Sequence, residues 1–330
     1  MRRKNKFLLS IILTLILISG IGYAYLNTDL TMENSVKLNS YTKKISYNGK
    51  VCIKAETPHT ETCSRTSDGC IAKGYTNGDT ITYGHTNGTS LVNGQSGGYA
   101  LDCDLNGNGV VDVDTNGNST ERFYYVSDLY TGTVNGTDQF DSNYAVLIYH
   151  KNIGTSGVSY YYENSAYENW HGPVTLLPSL PTRSTWTNEK IGLKSTSRTI
   201  YTETGTTSTR GGTIENPFNY TGAVGRLLTA QEINKSCNIT VGGYTTGELD
   251  NCEYLIEDTE YSKTSGWSGE KSLYWLETPL ASNDAIAWSV NGRSRRVSSD
   301  NRYMNASGFW YDTADVRPAV EILKSSISLE

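Results

Sequence analysis

Histidine is scarce in this chain, with four residues among 330. A catalytic histidine needs a nucleophile and an orienting acid, and the sequence contains no Ser/His/Asp arrangement, paired carboxylates or histidine-rich metal pattern. His171 alone has a local context, next to Trp170, and we interpret it as a buried structural histidine. The sequence therefore predicts a protein that is not an enzyme and has no catalytic residues.

Basic residues are in deficit, because 28 Lys and Arg stand against 34 Asp and Glu and leave a net charge of −6. Arg2, Arg3, Lys4 and Lys6 precede the first apolar segment, so the remainder carries 24 basic and 34 acidic residues, a net charge of −10. Nucleic acid is excluded as a partner, since phosphate backbones bind positive surfaces. Residues 285–318 reverse the balance with five arginines against three aspartates, which favours an anionic ligand but is also ordinary for an exposed loop.

Phenylalanine is rare beside the other aromatic residues, with 5 Phe against 24 Tyr and 6 Trp. Most aromatic rings therefore carry a polar group, which suits wet surfaces and binding faces. Half-exposed strands of extracellular β-rich proteins also use tyrosine, so both interpretations stay open.

One long hydrophobic run is present, at residues 7–26, after a basic start. It is long enough for a membrane-spanning helix, and Gly22 and Ala24 also fit a signal-peptidase cut after Ala24. Residues 1–26 are thus predicted to be a signal peptide or a signal anchor, and either fate exports the rest to the cell surface or the medium. The segment from Gly22 to Leu26 is similar to export segments of Gram-positive surface proteins. Residues 27–46 are polar and are expected to form a stalk or linker.

The six cysteines are an even number in an exported chain, which favours disulfides. Six cysteines allow 15 pairings, and the sequence selects none of them. We expect Cys237 to pair with Cys252 across a glycine-rich loop, and two further bridges among the first four. A zinc site is the alternative, disfavoured because no ligand spacing typical of zinc is present. The predicted disulfide residues are Cys52, Cys63, Cys70, Cys103, Cys237 and Cys252.

An acidic and amide-rich stretch, residues 102–114, is typical of a calcium loop. Counted from Asp104, oxygen-bearing positions fall on alternate residues, and Gly109 stands where an EF-hand-type loop turns. Thr115 replaces the usual bidentate glutamate, with Asp114 adjacent. The alternative is an Asn-Gly turn without metal. The predicted calcium ligands are Asp104, Asn106, Asn108, Val110 through its carbonyl, Asp112 and Asp114.

Apolar and aromatic runs at 121–126 and 145–149 predict two antiparallel strands. Thr229 followed by Glu232 is a capping box, which predicts a helix over 230–236, and apolar spacing predicts a second helix over 248–258. Twisted antiparallel sheets with two short helices, rich in loops, make an α+β fold, preceded by the N-terminal hydrophobic helix.

The most informative stretch is residues 274–322. Its sparse apolar skeleton alternates along short runs, as in half-buried strands. It predicts a strand over 285–290, an Asn291-Gly292 turn and a returning strand over 293–298. A final strand over 316–323 is expected to close the same sheet.

This pattern resembles a family of bacterial exported surface domains with the C-type lectin fold. The resemblance is carried by LL-S/T-x-x-E at 227–232, W-L-x-x-P at 275–279 and VRPA at 316–319. Distant relatives include the formylglycine-generating enzyme and binding proteins diversified by retroelements. The resemblance implies a Cys-rich, Gly/Asn-rich N-terminal part at 47–120, a lectin-like core at 121–325 and a tail at 326–330.

The predicted function is a surface protein that recognises a host, phage, glycan or neighbouring-cell ligand, an extracellular protein or glycan, through its C-terminal face. A structural subunit of a pilus or extracellular matrix is the alternative, and an enzyme of the formylglycine-generating type is disfavoured because no cysteine follows Cys252. Rigid aromatics mixed with Ser, Asn and Arg are typical of adaptable binding surfaces. The predicted ligand-binding residues are Ser289, Asn291, Arg293, Arg295, Arg296, Asp300, Tyr303, Asn305, Trp310, Tyr311 and Asp312.

Overall fold

The computed structural model describes most of the chain beyond residue 48. The described residues are 49–54, 60–62, 77–78, 80–82, 98–112, 119–161, 169–209, 212–213, 217–242, 247–249, 252–256, 273–282, 286–292, 296–298 and 314–328. All of them lie in one of the two compact units of the chain, residues 46–112 with 119–330. The predicted N-terminal hydrophobic helix and stalk lie outside the described residues. Within these residues, no helix is both long and apolar enough to cross a membrane.

The fold is α+β, with strands in the majority and one α-helix among the described residues. The helix, α1, is Ala230–Cys237. The strands are β1 Cys52–Lys54, β2 Thr60–Thr62, β3 Thr80–Thr82, β4 Ala100–Cys103, β5 Arg122–Val134, β6 Thr137–Tyr149, β7 Ile153–Val158, β8 Ser197–Arg198, β9 Ser208–Thr209, β10 Gly212–Thr213, β11 Phe218–Asn219, β12 Gly247–Glu248, β13 Leu273–Pro279, β14 Ala287–Asn291, β15 Arg296–Ser298, β16 Ala314–Val316, β17 Ala319–Leu323 and β18 Ile327–Ser328.

The first large sheet has the order β17-β6-β5-β4-β1-β18 and curls into a half-barrel. Its centre is the antiparallel β5–β6 hairpin, which confirms the predicted strand pair. Both strands extend well beyond the apolar segments that predicted them. Residues 127–134 and 137–144 continue the two strands as far as a turn at Asn135-Gly136. Both turn residues have positive φ, 51° and 75°, as a two-residue hairpin turn requires.

Both faces of this sheet are buried at its centre. Along β5, Tyr124 and Val126 belong to one apolar cluster, and Phe123 and Tyr125 belong to another. Successive side chains of a strand point to opposite faces, so the alternation assigns one cluster to each face. A strand buried on both faces reads as a continuous apolar run, which is the pattern seen at residues 123–126.

The second large sheet has the order β12-β15-β14-β13-β16-β7. The predicted antiparallel pairing of the two strands is confirmed, because Val290 of β14 pairs with Val297 of β15. The predicted two-residue Asn291-Gly292 turn is wrong, because Asn291 belongs to β14 and pairs with Arg296, whereas that turn would pair Val290 with Arg293. Strand β13 is buried along its whole length. The stretch was expected to alternate as half-buried strands do, and that is wrong for β13, because both of its faces are covered.

The expectation of one final strand over 316–323 is wrong. Ala314–Val316 is β16 of the second sheet, whereas Ala319–Leu323 is β17 and pairs with β6 of the first sheet. The change of sheet occurs at Arg317-Pro318, where proline has no N–H to donate to a ladder and has a fixed φ. The Pro318 carbonyl accepts from the Tyr149 N–H at 2.8 Å.

Helix α1 begins at the predicted capping box. The Thr229 hydroxyl accepts from the Glu232 N–H at 3.1 Å, and Glu232 Oε2 accepts from the Thr229 N–H at 2.9 Å. The predicted second helix over 248–258 is wrong. Gly247–Glu248 is strand β12, and residues 253–255 form a 3-10 turn. Leu249, Cys252, Leu255 and Ile256 are nevertheless all buried, so the apolar spacing indicated burial and not a helix.

Two disulfides join described cysteines. Cys237–Cys252 is the predicted pair, and it ties the end of α1 to the segment before the 3-10 turn. Cys52–Cys103 links neighbouring strands β1 and β4. Cys63 and Cys70 lie outside the described residues. Two disulfides indicate that the protein folds in an oxidising compartment, as an exported chain does.

Candidate functional site

The C-terminal candidate face starts on the β14–β15 hairpin. Asn291 pairs with Arg296 at the turn end, where Asn291 is half-buried and Arg296 is exposed. Arg296 Nε lies 2.6 Å from Glu248 Oε1 on the neighbouring strand β12, and both side chains are about half exposed. The predicted site residues Asn291 and Arg296 therefore lie together at a polar end of the second sheet.

Ser289 lies on the interior side of the same hairpin. It is 1% exposed, and its hydroxyl donates to the Ser298 carbonyl at 3.2 Å. This placement makes Ser289 part of the hairpin's support and not of its solvent surface. The other predicted face residues lie outside the described residues, between β14 and β15 or between β15 and β16. They are Arg293, Arg295, Asp300, Tyr303, Asn305, Trp310, Tyr311 and Asp312.

The strands that carry this segment are fixed in the core. Trp275, Trp288, Val290 and Val297 are each 0% exposed. The Trp275 indole N–H donates to the Val158 carbonyl at 2.7 Å, which joins β13 to β7. A polar segment held at both ends by buried strands of one sheet matches the usual arrangement of binding loops on a rigid scaffold.

Arg317, counted above in the positive balance of residues 285–318, does not contribute to a surface charge. It is 0% exposed, and its guanidinium donates to four backbone carbonyls, those of Tyr149, His150, Tyr254 and Leu255. It also lies 5.5 Å from the ring centroid of Tyr274. The arginine of the VRPA motif thus fastens the crossing between the two sheets to the 3-10 turn.

The glutamate of the LL-S/T-x-x-E motif is also structural. Glu232 is fully buried and binds Arg226 through both oxygens, at 2.5 and 2.9 Å. Arg226 Nε lies 2.6 Å from Glu321 Oε1, and Arg198 reaches the same oxygen at 2.6 Å. Burial alone would raise the pKa of Glu321, but the Arg226 and Arg198 guanidiniums hold it below its usual value.

This buried ionic network ends at Glu277 of β13. Arg198 Nε donates to Glu277 Oε2 at 3.2 Å, and the Tyr220 hydroxyl donates to the same oxygen at 2.9 Å. Three glutamates against two arginines are linked in one chain of contacts, and each carboxylate accepts hydrogen bonds. We assign the network to holding helix α1 against both large sheets.

The candidate calcium loop is held by its own Asp104. Asp104 Oδ1 accepts from the Gly107 N–H at 2.7 Å and from the Asn108 N–H at 3.2 Å, and Oδ2 accepts from the Gly109 N–H at 2.8 Å. Gly107 and Gly109 both have positive φ, which allows the chain to wrap around the carboxylate. Asn188 fastens the loop from outside by donating to the Asp104 carbonyl at 2.6 Å.

The other predicted ligands follow in sequence around this turn. Asn106 and Asn108 are exposed, Val110 is half-buried and Asp112 is exposed. The Asn106 amide donates to Asp112 Oδ2 at 3.1 Å, so these two side chains are together. Asp114 lies outside the described residues.

Glu121 is an acidic residue of this loop that the sequence pattern missed. It is 4% exposed, and its Oε2 accepts from the Asp112 N–H at 2.9 Å. Burial raises the pKa of Glu121 to about 7, and the charges of Asp112 and Asp104 add to the shift. In the described part of the chain, no lysine or arginine pairs with Asp104, Asp112 or Glu121.

The donor set of this loop fits calcium in chemistry, because carboxylate, amide and carbonyl oxygens are the ligands that calcium prefers. As the described side chains stand, no three His, Cys, Asp or Glu groups converge on one point as a metal site. The side-chain amide oxygens of Asn106 and Asn108 and the Val110 carbonyl oxygen can also bind calcium, so the loop offers more oxygen ligands than its carboxylates alone.

His171 lies against two aromatic rings. Its ring lies 4.4 Å from that of Tyr161 at 13° and 3.4 Å from that of Trp170. It is half-buried and not fully buried as expected, because it closes a short 3-10 turn, Asn169–His171, at the surface.

Comparison with known proteins gives no assignment. No family model, curated protein or solved structure matches this chain.

Proposed function

We propose that this chain is an exported ligand-binding protein with a C-type-lectin-like fold, which recognises an extracellular protein or glycan through its C-terminal face. The observation that carries the proposal is the anchoring of that face. Strands β14, β15 and β16 flank the segment, and their apolar residues are fully buried in the second sheet. A rigid base of this kind lowers the entropy lost when a polar loop orders on a ligand.

The chemistry of the segment supports the same function. Residues 289–312 combine Ser, Asn, Asp and Arg with Tyr303, Trp310 and Tyr311. Aromatic side chains supply contact area at a low entropic cost, and the short polar side chains supply adaptable hydrogen bonds. Asn291 and Arg296 mark where this surface joins the described hairpin.

The test is binding of the purified protein to glycan arrays and to intact bacterial and host cells. Trp310→Ala with Tyr311→Ala should abolish the signal, because aromatic anchors carry most of the binding energy at such surfaces. Val134→Ala is the matched control, since Val134 is 57% exposed at the end of the β5–β6 hairpin, away in sequence from this face. Equal binding by the double variant and the control would count against this face.

A structural role in a pilus or extracellular matrix is the alternative. Sedimentation of the purified protein separates the two, because a matrix subunit assembles and a binding protein stays dispersed. An activity of the formylglycine-generating type needs paired thiols, whereas Cys237 and Cys252 are joined to each other. We therefore propose no enzymatic function.

We also propose that the loop of residues 104–121 binds calcium as a structural ion. The specific support is the burial of Asp104 and Glu121, at 5% and 4% exposure, since burial raises the pKa of Glu121 and the charges of Asp112 and Asp104 add to the shift. Buried like charges repel, and a divalent cation would replace that repulsion with attraction. Asp104, Asn106, Asn108, Val110, Asp112 and Glu121 would hold the ion.

A further inference from the structure

The side chains of Lys324 and Asp128 meet on the first sheet. Lys324 begins the 3-10 turn after β17, and Asp128 lies within β5, two strands away across β6. The register brings them together, because Leu323 pairs with Tyr144 while Asp128 pairs with Ala145, the next residue of β6. Lys324 Nζ is in direct contact with Asp128 Oδ1.

Burial distinguishes this pair from a surface ion pair. The Asp128 side chain is 0% exposed and that of Lys324 is 17% exposed. The hydroxyl of buried Tyr125 donates to the same Oδ1 at 2.9 Å. A lysine amino group and a carboxyl group are the two reactants of an amide bond, and the fold holds them in contact at a site where the carboxyl group is fully buried.

We propose that Lys324 and Asp128 become joined by an intramolecular isopeptide bond. The Lys324 ammonium group first passes one proton to Asp128 Oδ1, and the Nζ lone pair that this frees attacks Asp128 Cγ. A C–N bond forms, the bond from Cγ to Oδ1 breaks, and a second proton from Nζ joins Oδ1, which leaves as one water molecule. Nothing is oxidised or reduced, and no further reactant is consumed. Free molecules lose translational and rotational entropy when they come together, which makes such a condensation slow. Here the fold already holds the two groups together, so that entropy is not lost in the reaction.

Tyr125 is the positioning residue for this step. Its hydroxyl already donates to Oδ1, the oxygen that must be protonated to leave. Burial and the neighbouring Asp128 raise the pKa of the Tyr125 phenol, so it stays protonated and able to donate.

The bond would close the chain into a covalent loop from β5 to the end of β17. The next strand, β18, pairs with β1, and the Val51 N–H donates to the Ser326 carbonyl at 2.7 Å. Both ends of the described region therefore meet beside Lys324. A covalent link at this point would hold the last strands of the sheet in place when the chain is pulled from its N-terminal side.

The test is mass spectrometry of the purified full chain after denaturation and complete reduction. A wild-type chain with the bond is lighter than its composition by one water molecule, and digestion yields one branched peptide containing residues 128 and 324. Lys324→Arg keeps the charge but removes the amine, so its mass should rise by the residue difference plus one water. This comparison holds whatever the N-terminus is, because both chains share it.

Two further variants separate chemistry from ion pairing. Asp128→Asn keeps a carbonyl that an amine can attack, so that variant should lose ammonia in place of water. Tyr125→Phe should slow the loss of water in freshly refolded chain without removing the two reacting groups. A folded, protease-resistant wild-type chain that retains its full mass and yields no branched peptide would show an ion pair only, and would overturn the proposal.

Discussion

Arg226 Nε donates to Glu321 Oε1 at 2.6 Å, and neither side chain has any exposed surface. Arg226 comes from the segment before helix α1, whereas Glu321 lies on β17 of the first sheet. The backbone repeats the link, because Arg226 and Ala319 exchange N–H to carbonyl hydrogen bonds at 2.9 and 2.7 Å. This pair is therefore the point where the helix segment is fastened to the last long strand.

Replacement of Arg226 by methionine should destabilise the fold strongly. The change leaves Glu232 and Glu321 buried without their central cation, and breaking a buried pair costs about 3 to 5 kcal/mol. Urea unfolding under non-reducing conditions measures this loss in the free energy of unfolding. Arg296→Met is the control, because its pair with Glu248 is about half exposed and such pairs contribute about 1 kcal/mol or less. Equal losses for the two variants would contradict the central role of Arg226.

Arg317→Lys should also be destabilising, although the charge is kept. The lysine ammonium has a different geometry and cannot reach the four carbonyls that the planar guanidinium serves. Buried carbonyls left unpaired cost about 1 to 3 kcal/mol each, so we expect a loss of at least about 2 kcal/mol. Arg122→Lys is the matched control, since Arg122 is 31% exposed and pairs with Asp102 on the sheet. The same urea experiment checks both variants, and a neutral result for Arg317→Lys would remove its structural assignment.

Local patterns predicted local structure well. The capping box at Thr229 and Glu232 needs only four adjacent residues, and the antiparallel pairing of β14 with β15 also joins segments that are near in sequence. The Cys237–Cys252 pairing also spans a short segment. In each case the interaction energy comes from residues that are near in sequence, so the sequence carries the signal directly.

The features that failed depend on distant partners. Residues 316–323 look like one strand, and the change of sheet at Arg317 is decided by β6, β13 and the 3-10 turn that surround it. Glu121 joins the candidate calcium loop nine residues beyond Asp112, where no loop pattern places a ligand. The partners of Lys324 and Glu321 likewise lie on strands far away in the chain, and a single sequence has no spacing rule for them.

Removal of the predicted disulfide should weaken the fold by a moderate amount. Cys237→Ala with Cys252→Ala opens a loop of sequence separation 15, for which the chain-entropy model gives about 3 kcal/mol. Both residues are buried in the main apolar cluster, so alanine also leaves a small packing loss. Thermal unfolding of the double variant should show a lower Tm than that of the wild type. A reductant should narrow this difference in Tm, because it breaks the Cys237–Cys252 bond of the wild type. An unchanged Tm would mean that neither the covalent link nor the packing of this pair contributes to stability.

The pKa of Glu121 gives the calcium loop a definite pH dependence. Its value in the folded protein, about 7, lies above the ordinary 4.5, so folding favours the protonated form. Without a cation, the stabilisation from this group is fully present below pH 4.5 and is lost as the pH rises through about 7. At the proposed site calcium would bind the ionised carboxylate, so the ion should raise the Tm most above pH 7 and progressively less as the pH falls below it.

Glu121→Gln tests this dependence and the proposed metal site together. The variant removes the buried charge, so at a pH of about 8 without calcium it should be more stable than wild type, since no like-charge repulsion remains. It should also lose the Tm increase that calcium gives the wild type, because an amide is a weaker calcium ligand than a carboxylate. Glu189→Gln is the control, since Glu189 is exposed on the segment that fastens the loop and should change neither property.

Calorimetric titration with calcium at a pH of about 8 and about 5.5 completes the test, with stronger binding expected at the higher pH. A wild-type chain that gives no heat and no Tm change at either pH would exclude calcium, and the raised pKa would then reflect a buried acid that the fold keeps protonated.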